Sequence, residues 1–164
     1  MTFRPIFVLC GSMSPELIRS AELIARVMPA GGDWWIIGSA ALALNGIAVE
    51  PKDIDVFASA AVIDAARAAL DVPAMPSGSD RFRSTPYFQF RPDGGVEIDF
   101  MGDLEVWSGG AWGGLHIESR LRVNCGSVNV FTPSLDEQRR ILHLFGRPKD
   151  LARAALIDSC TGTV

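Results

Sequence analysis

Two acid–apolar–acid triplets, Asp53-Ile54-Asp55 and Glu97-Ile98-Asp99, lie in short runs that otherwise read as strands. Side chains two apart in a strand share a face, and their neighbours take the other. Ile54 and Val56 would enter the core while Asp53 and Asp55 project together. Asp99 stands between Ile98 and Phe100, and emerges opposite those two anchors. Like charges held this close repel and raise each other's pKa unless they share a cation. Paired oxygen ligands suit a hard ion such as Mg²⁺. The plain alternatives are a solvated strand start after Pro51-Lys52 and a hairpin strand with one polar side. Parity does not separate Glu97 from Asp99, since both share that face.

The rest of the chain supplies elements of both kinds. Ser14, Pro15 and Glu16 read as a helix start, followed by the apolar face Leu17, Ile18, Ala21, Ile24 and Val27. Trp34-Trp35-Ile36-Ile37 reads as a buried strand, and Ala40–Leu44 as a helix ended by Asn45-Gly46. Ile54–Ala58 is a second strand and Ala61–Leu70 a helix. Val72 to Thr85, with Pro73, Pro76 and Gly78, reads as a loop. Tyr87–Phe90 and Val96–Phe100 form a hairpin around Pro92-Asp93-Gly94-Gly95. Trp107 to Gly114, rich in Gly and Trp, reads as a loop near a pocket mouth. A second hairpin surrounds Cys125-Gly126. Two helices follow, one from Pro133 that Gly146 breaks and one from Arg147-Pro148-Lys149-Asp150 to about Ile157. This order predicts an α/β or α+β domain with a mixed β-sheet and a C-terminal helical pair in 133–160.

Length and charge narrow the function classes. The 164 residues fit a single domain, 1–164, with 1–12 as an N-terminal tail or extra strand. A formal net charge of −4, with no basic stripe, argues against a protein that coats nucleic acid. Cys10, Cys125 and Cys160 are odd in number and lack CxxC spacing, so a reducing cytoplasm is expected, with each cysteine a small buried apolar group. The apolar run Ile6–Leu9 is too short for a signal-peptide core or a membrane span, and no membrane partner is expected. His116 and His143 have no partner spacing for metal or acid–base chemistry. Trp107 and Trp112 either stack on a base or pack over a sheet edge, and Arg81, Arg83 and Arg91 read as solvated.

Gly38-Ser39 sits where the first strand turns into a helix. Glycine lets backbone approach a phosphate, and a helix start offers free N–H groups. Residues 40 to 52, thirteen in all, separate this turn from Asp53. A Gly-Ser turn, that spacing, an Asp-apolar-Asp strand and the apolar-Asp-apolar strand Ile98-Asp99-Phe100 together resemble the DNA polymerase beta-like nucleotidyltransferase superfamily. Arg147-Pro148-Lys149-Asp150 resembles an Arg-x-Lys-Asp segment of its bacterial small-molecule and toxin-antitoxin type members.

The resemblance implies a nucleotidyltransferase fold and a set of roles. Asp53, Asp55 and Asp99 would be the catalytic and metal-binding residues, holding Mg²⁺ or Mn²⁺. Gly38 and Ser39 would hold the phosphates of a nucleoside triphosphate. Arg147 and Lys149 would meet phosphate or the acceptor, although both also suit a simple helix start with a solvated arginine. The activity implied is transfer of a nucleoside monophosphate to a hydroxyl of a small molecule, protein or RNA. The small size leaves room for an acceptor site at a homodimer interface, or for a non-catalytic module acting with a cognate partner protein in a toxin-antitoxin pair.

Overall fold

The computed structural model describes residues 13–161. The expected N-terminal tail or strand, 1–12, and Cys10 lie outside the described residues.

Helix α1 (Pro15–Val27) begins as its sequence dictates. The Ser14 hydroxyl accepts from the Leu17 amide at 3.3 Å, Pro15 opens the first turn, and Glu16 faces the positive end of the helix. Leu17, Ala21 and Ile24 recur at helical spacing, and all three are buried. Strand β1 (Trp34–Ile37) runs straight into helix α2 (Gly38–Leu44), and β2 (Ile54–Ala58) leads to α3 (Ala60–Leu70). After a long connection come β3 (Phe82–Arg83), β4 (Tyr87–Phe90) and β5 (Ile98–Gly102). Next are β6 (Glu105–Ser108), β7 (Ala111–Gly114), β8 (Leu121–Cys125) and β9 (Val128–Thr132), then helices α4 (Leu135–Phe145) and α5 (Pro148–Thr161).

The central sheet has the order β1-β2-β5-β4. Its middle pair, β2 and β5, is parallel, and both outer pairs are antiparallel, so the sheet is mixed. Strand alternation sorts its two faces. Ile36, Ile54, Val56, Phe88, Ile98 and Phe100 point to one side and are fully buried with α1 and α3. Phe88 and Phe100 stack there with ring centres 4.4 Å apart and planes 7° apart. The β8-β9 hairpin closes this core, with Trp34 edge-on to Phe131 at 5.1 Å. On the other face Ile37 and Phe57 pack with Leu104, Val106, Ile141 and Phe145. A third cluster, Leu42, Leu142, Ala154 and Ile157, ties α2 to the two C-terminal helices.

Several local expectations need correction. The Gly- and Trp-rich segment is a hairpin rather than a loop: β6 and β7 pair antiparallel, with Trp107 opposite Trp112. Gly109 and Gly110 both take positive φ, 61° and 82°, as a tight two-residue turn between twisted strands requires. The 72–85 connection contains β3, whose pairing with β6 is long-range and leaves no local signal. The first C-terminal helix is capped by Ser134 rather than opened by Pro133, and the second reaches Thr161. Cys125 is buried, but Cys160 is exposed on α5. Among the described residues no helix is long and apolar enough to cross a membrane.

Truncating a fully buried ring leaves a cavity as well as losing transfer energy. Phe88→Ala should therefore cost about 3–5 kcal/mol of unfolding free energy in urea titrations. A loss well under about 1 kcal/mol would show that the two rings do not form a packed layer.

Candidate active site

Register across the central sheet decides which acids meet. Ile37 of β1 pairs with Asp55 of β2, Asp55 with Asp99 of β5, and Asp99 with Gln89 of β4. Directly paired residues lie on the same face, so the two carboxylates stand side by side in one row. This separates Asp99 from Glu97, which parity alone left equivalent. Glu97 precedes β5 and is exposed, and its carbonyl accepts the Ile54 amide at 3.0 Å. Asp53 lies just before β2 and is exposed, close enough for its charge to act on Asp55.

Asp55 carries the electrostatic load of the site. Burial first, then the charges of Asp53 and Asp99, push its pKa up from 3.8 to about 7, while Arg147 and Lys149 pull it down. Gly38 lies against it. The glycine has φ +71°, and a Cβ at that position would sit 3.1 Å from Asp55 Oδ2. Any side chain there would be strained in its backbone and would press on the carboxylate. Ser39, half-buried, follows in the first turn of α2.

Asp99 is held by neighbours that the sequence did not single out. Its Oδ1 accepts from the Tyr87 hydroxyl at 2.5 Å and from Gln89 Nε2 at 2.8 Å. Gln89 Nε2 also reaches Glu97 Oε1 at 3.0 Å. Burial, then the hydrogen bond to Asp99, pushes the Tyr87 phenol above its ordinary range. Tyr87 and Gln89 alternate in β4, so the hairpin with β5 did carry a signal: both had to share one face of that strand.

Arg147 is only half-exposed and is not free. Its Nε and Nη2 donate to the two carboxylate oxygens of Asp150, at 2.6 and 3.0 Å, and its guanidinium lies 4.8 Å from the centre of the Phe82 ring. Asp150 is fully buried and also accepts the Arg147 amide at 3.2 Å. Lys149 is exposed nearby. A cavity of about 400 Å³ is lined by Asp55 and Asp99 together with Phe82, Met101, Leu104, Phe145, Tyr87 and Arg147.

Asp53, Asp55 and Asp99 are oxygen donors of the kind a hard divalent cation takes, and a cation beside them would offset the part of the Asp55 shift that comes from the charges of Asp53 and Asp99. Among the described residues no three His, Cys, Asp or Glu side chains converge as a ready cation cluster. The residue types suit a hard cation, but in this arrangement the three carboxylates do not converge on one point, and Asp99 Oδ1 is turned toward Tyr87 and Gln89.

Folding raises the Asp55 pKa, so the native state favours the protonated carboxyl. That contribution is complete below pH 3.8 and is lost as pH rises toward about 7. Asp55→Asn removes the titration. The stability of the variant relative to the parent should grow between about pH 4 and about pH 8, by no more than about 4 kcal/mol. Urea titrations at the two pH values check this, and a constant difference would overturn the assigned burial and charge repulsion.

No family model matches this chain, and no curated protein sequence matches it. Among solved structures it is similar to a protein from Thermotoga maritima that has been proposed to be a nucleotidyltransferase. The match has a TM-score of 0.72 at 19% identity, and covers 86% of this chain and 91% of the other. At that identity the likeness speaks for architecture, and the two chains agree over nearly all of both. The mixed sheet, the flanking helices and the strand-to-helix turn at Gly38 thus form a nucleotidyltransferase fold.

Proposed function

We propose that this chain transfers a nucleoside monophosphate from a nucleoside triphosphate to a hydroxyl group, with Mg²⁺ or Mn²⁺. The observation that carries this reading is the pairing of Asp55 with Asp99 in the parallel register, with Gly38 against Asp55. Asp53, Asp55 and Asp99 would hold the cations, which neutralise charge on the attacking and leaving oxygens of an in-line displacement. The backbone at Gly38 and Ser39 would take the β- and γ-phosphates, because no side chain blocks its approach. Lys149 and Arg147 place positive charge near Asp55, where a phosphate chain would lie.

The hydroxyl oxygen bonds to the α-phosphorus as the bond to the pyrophosphate oxygen breaks, and pyrophosphate leaves. The hydroxyl proton passes to the Asp99 carboxylate. Tyr87 and Gln89 hold Oδ1 of that carboxylate in place, so its orientation is set before substrate arrives. A second reading is a non-catalytic module of the same fold. It is favoured by the engagement of Asp99 Oδ1 and of Arg147 within the protein, which leaves fewer groups free for substrate.

A thermal-shift panel of the four nucleoside triphosphates, with Mg²⁺ or Mn²⁺, tests the donor site. A ligand at about a hundred times its Kd should stabilise the folded chain by about 2.7 kcal/mol. The shift should require the metal and should vanish in Asp55→Asn and Asp53→Asn. An equal shift in those variants, or none in the parent with any triphosphate, would refute the assigned site. Binding without transfer to any hydroxyl would favour the non-catalytic reading.

A further inference from the structure

We infer that the cavity beside the two aspartates takes a small, uncharged hydroxyl compound with an apolar body about the size of a ring system, as acceptor. This rests on the nucleotidyl-transfer reading and narrows it to one class of acceptor.

The cavity, about 400 Å³, falls in the range of small-molecule sites, roughly 300–1,000 Å³. Its lining mixes two chemistries. Asp55 and Asp99 contribute carboxylates, while Phe82, Met101, Leu104 and Phe145 supply apolar surface. Phe82 and Phe145 meet edge to face at 5.0 Å, so this part of the lining is already packed in the free protein. Ser77 and Ser84 add short hydroxyls, 3.2 Å from each other. A compound filling this space buries its body against aromatic and aliphatic carbon and keeps a hydroxyl beside the carboxylates.

Position sets the phosphate turn apart from this space, although Arg147 and Asp55 border both. Gly38, Ser39 and Asp53 do not line the cavity, whereas Asp55 and Asp99 do. Asp55 therefore stands between the phosphate turn and the cavity, and Asp99 faces the side from which a hydroxyl would come.

Charge excludes the other acceptor classes. Only two carboxylates line the cavity, and Asp99 already satisfies Oδ1 within the protein, so little remains for a polycation. An anionic acceptor would compete with the triphosphate for Arg147, which is already paired to Asp150. A nucleic-acid strand needs a track of unpaired cations. Here Arg83 is paired with Glu105 and Arg139 with Asp158, and Arg81 donates to the Phe145 carbonyl.

Methionine methyl groups give a direct readout. Met101 lines the cavity, whereas Met28, at the C-cap of α1, is buried in the core. With ¹³C-methyl-methionine protein, 2-naphthol should shift the Met101 resonance saturably and leave Met28 unmoved. Phe82→Ala should weaken that binding about tenfold, and Leu104→Trp should abolish it by filling the space. Unchanged Met13 and Met28 signals would certify that each variant is folded. Spermine and a short oligouridylate should leave Met101 unmoved. The inference fails if 2-naphthol produces no saturable shift, if spermine or the oligonucleotide shifts Met101 instead, or if a triphosphate displaces 2-naphthol from the cavity. Saturable 2-naphthol binding without any metal-dependent triphosphate shift would leave the binding site standing and remove the transfer reading.

Discussion

The parallel pairing of β2 with β5 is the contact on which the candidate site depends. It runs from Ile54 opposite Ile98 to Ala58 opposite Gly102, and it fixes Asp55 beside Asp99 at the second step. A slip of one residue in either strand would turn that strand's carboxylate into the core and its isoleucine to the opposite face. Register and core are therefore one constraint. The fully buried Ile54, Val56, Ile98 and Phe100 hold the strands against α1 and α3, and the carboxylates occupy the opposite face as a consequence.

That arrangement leaves like charges close together at a partly enclosed site, with three kinds of compensation around them. Tyr87 and Gln89 donate to Asp99 from β4. Arg147 and Lys149 add positive charge from the start of α5. Asp55 itself takes the remainder as a raised pKa. Gly38 belongs to the same balance, because at φ +71° a side chain would be strained and its Cβ would sit 3.1 Å from Asp55 Oδ2.

The C-terminal helices and the small β3-β6-β7 sheet turn a charged row into a cavity with a mixed lining. Phe145 of α4 and Phe82 of β3 meet edge to face, and Arg147 rests over Phe82 while bound to the buried Asp150. Arg147, held by Asp150, thus ties the start of α5 to Phe82 in the cavity lining. Its guanidinium is oriented by a buried carboxylate, which is how an arginine is held rigid at a site edge.

Much of this was legible in the chain itself. Local patterns marked the strands around Asp55 and Asp99, the α1 start at Ser14, the hairpin turn at Pro92–Gly95 and the Gly38-Ser39 turn, because caps, turns and alternation act over a few residues. Local periodicity could not choose between Glu97 and Asp99, could not find β3, and read the β6-β7 hairpin as a loop. The first two outcomes depend on pairing between segments far apart in the chain, on which a short window is silent, whereas the β6-β7 hairpin is local and its Gly109-Gly110 turn was the signal for it. The partners of Asp99, the burial of Asp150 and the apolar walls of the cavity were likewise settled only in three dimensions. The sequence alone determined which side chains are available and which face of each strand they take. The tertiary structure decided which of them meet, because hydrogen-bond register and core packing between distant segments set those distances.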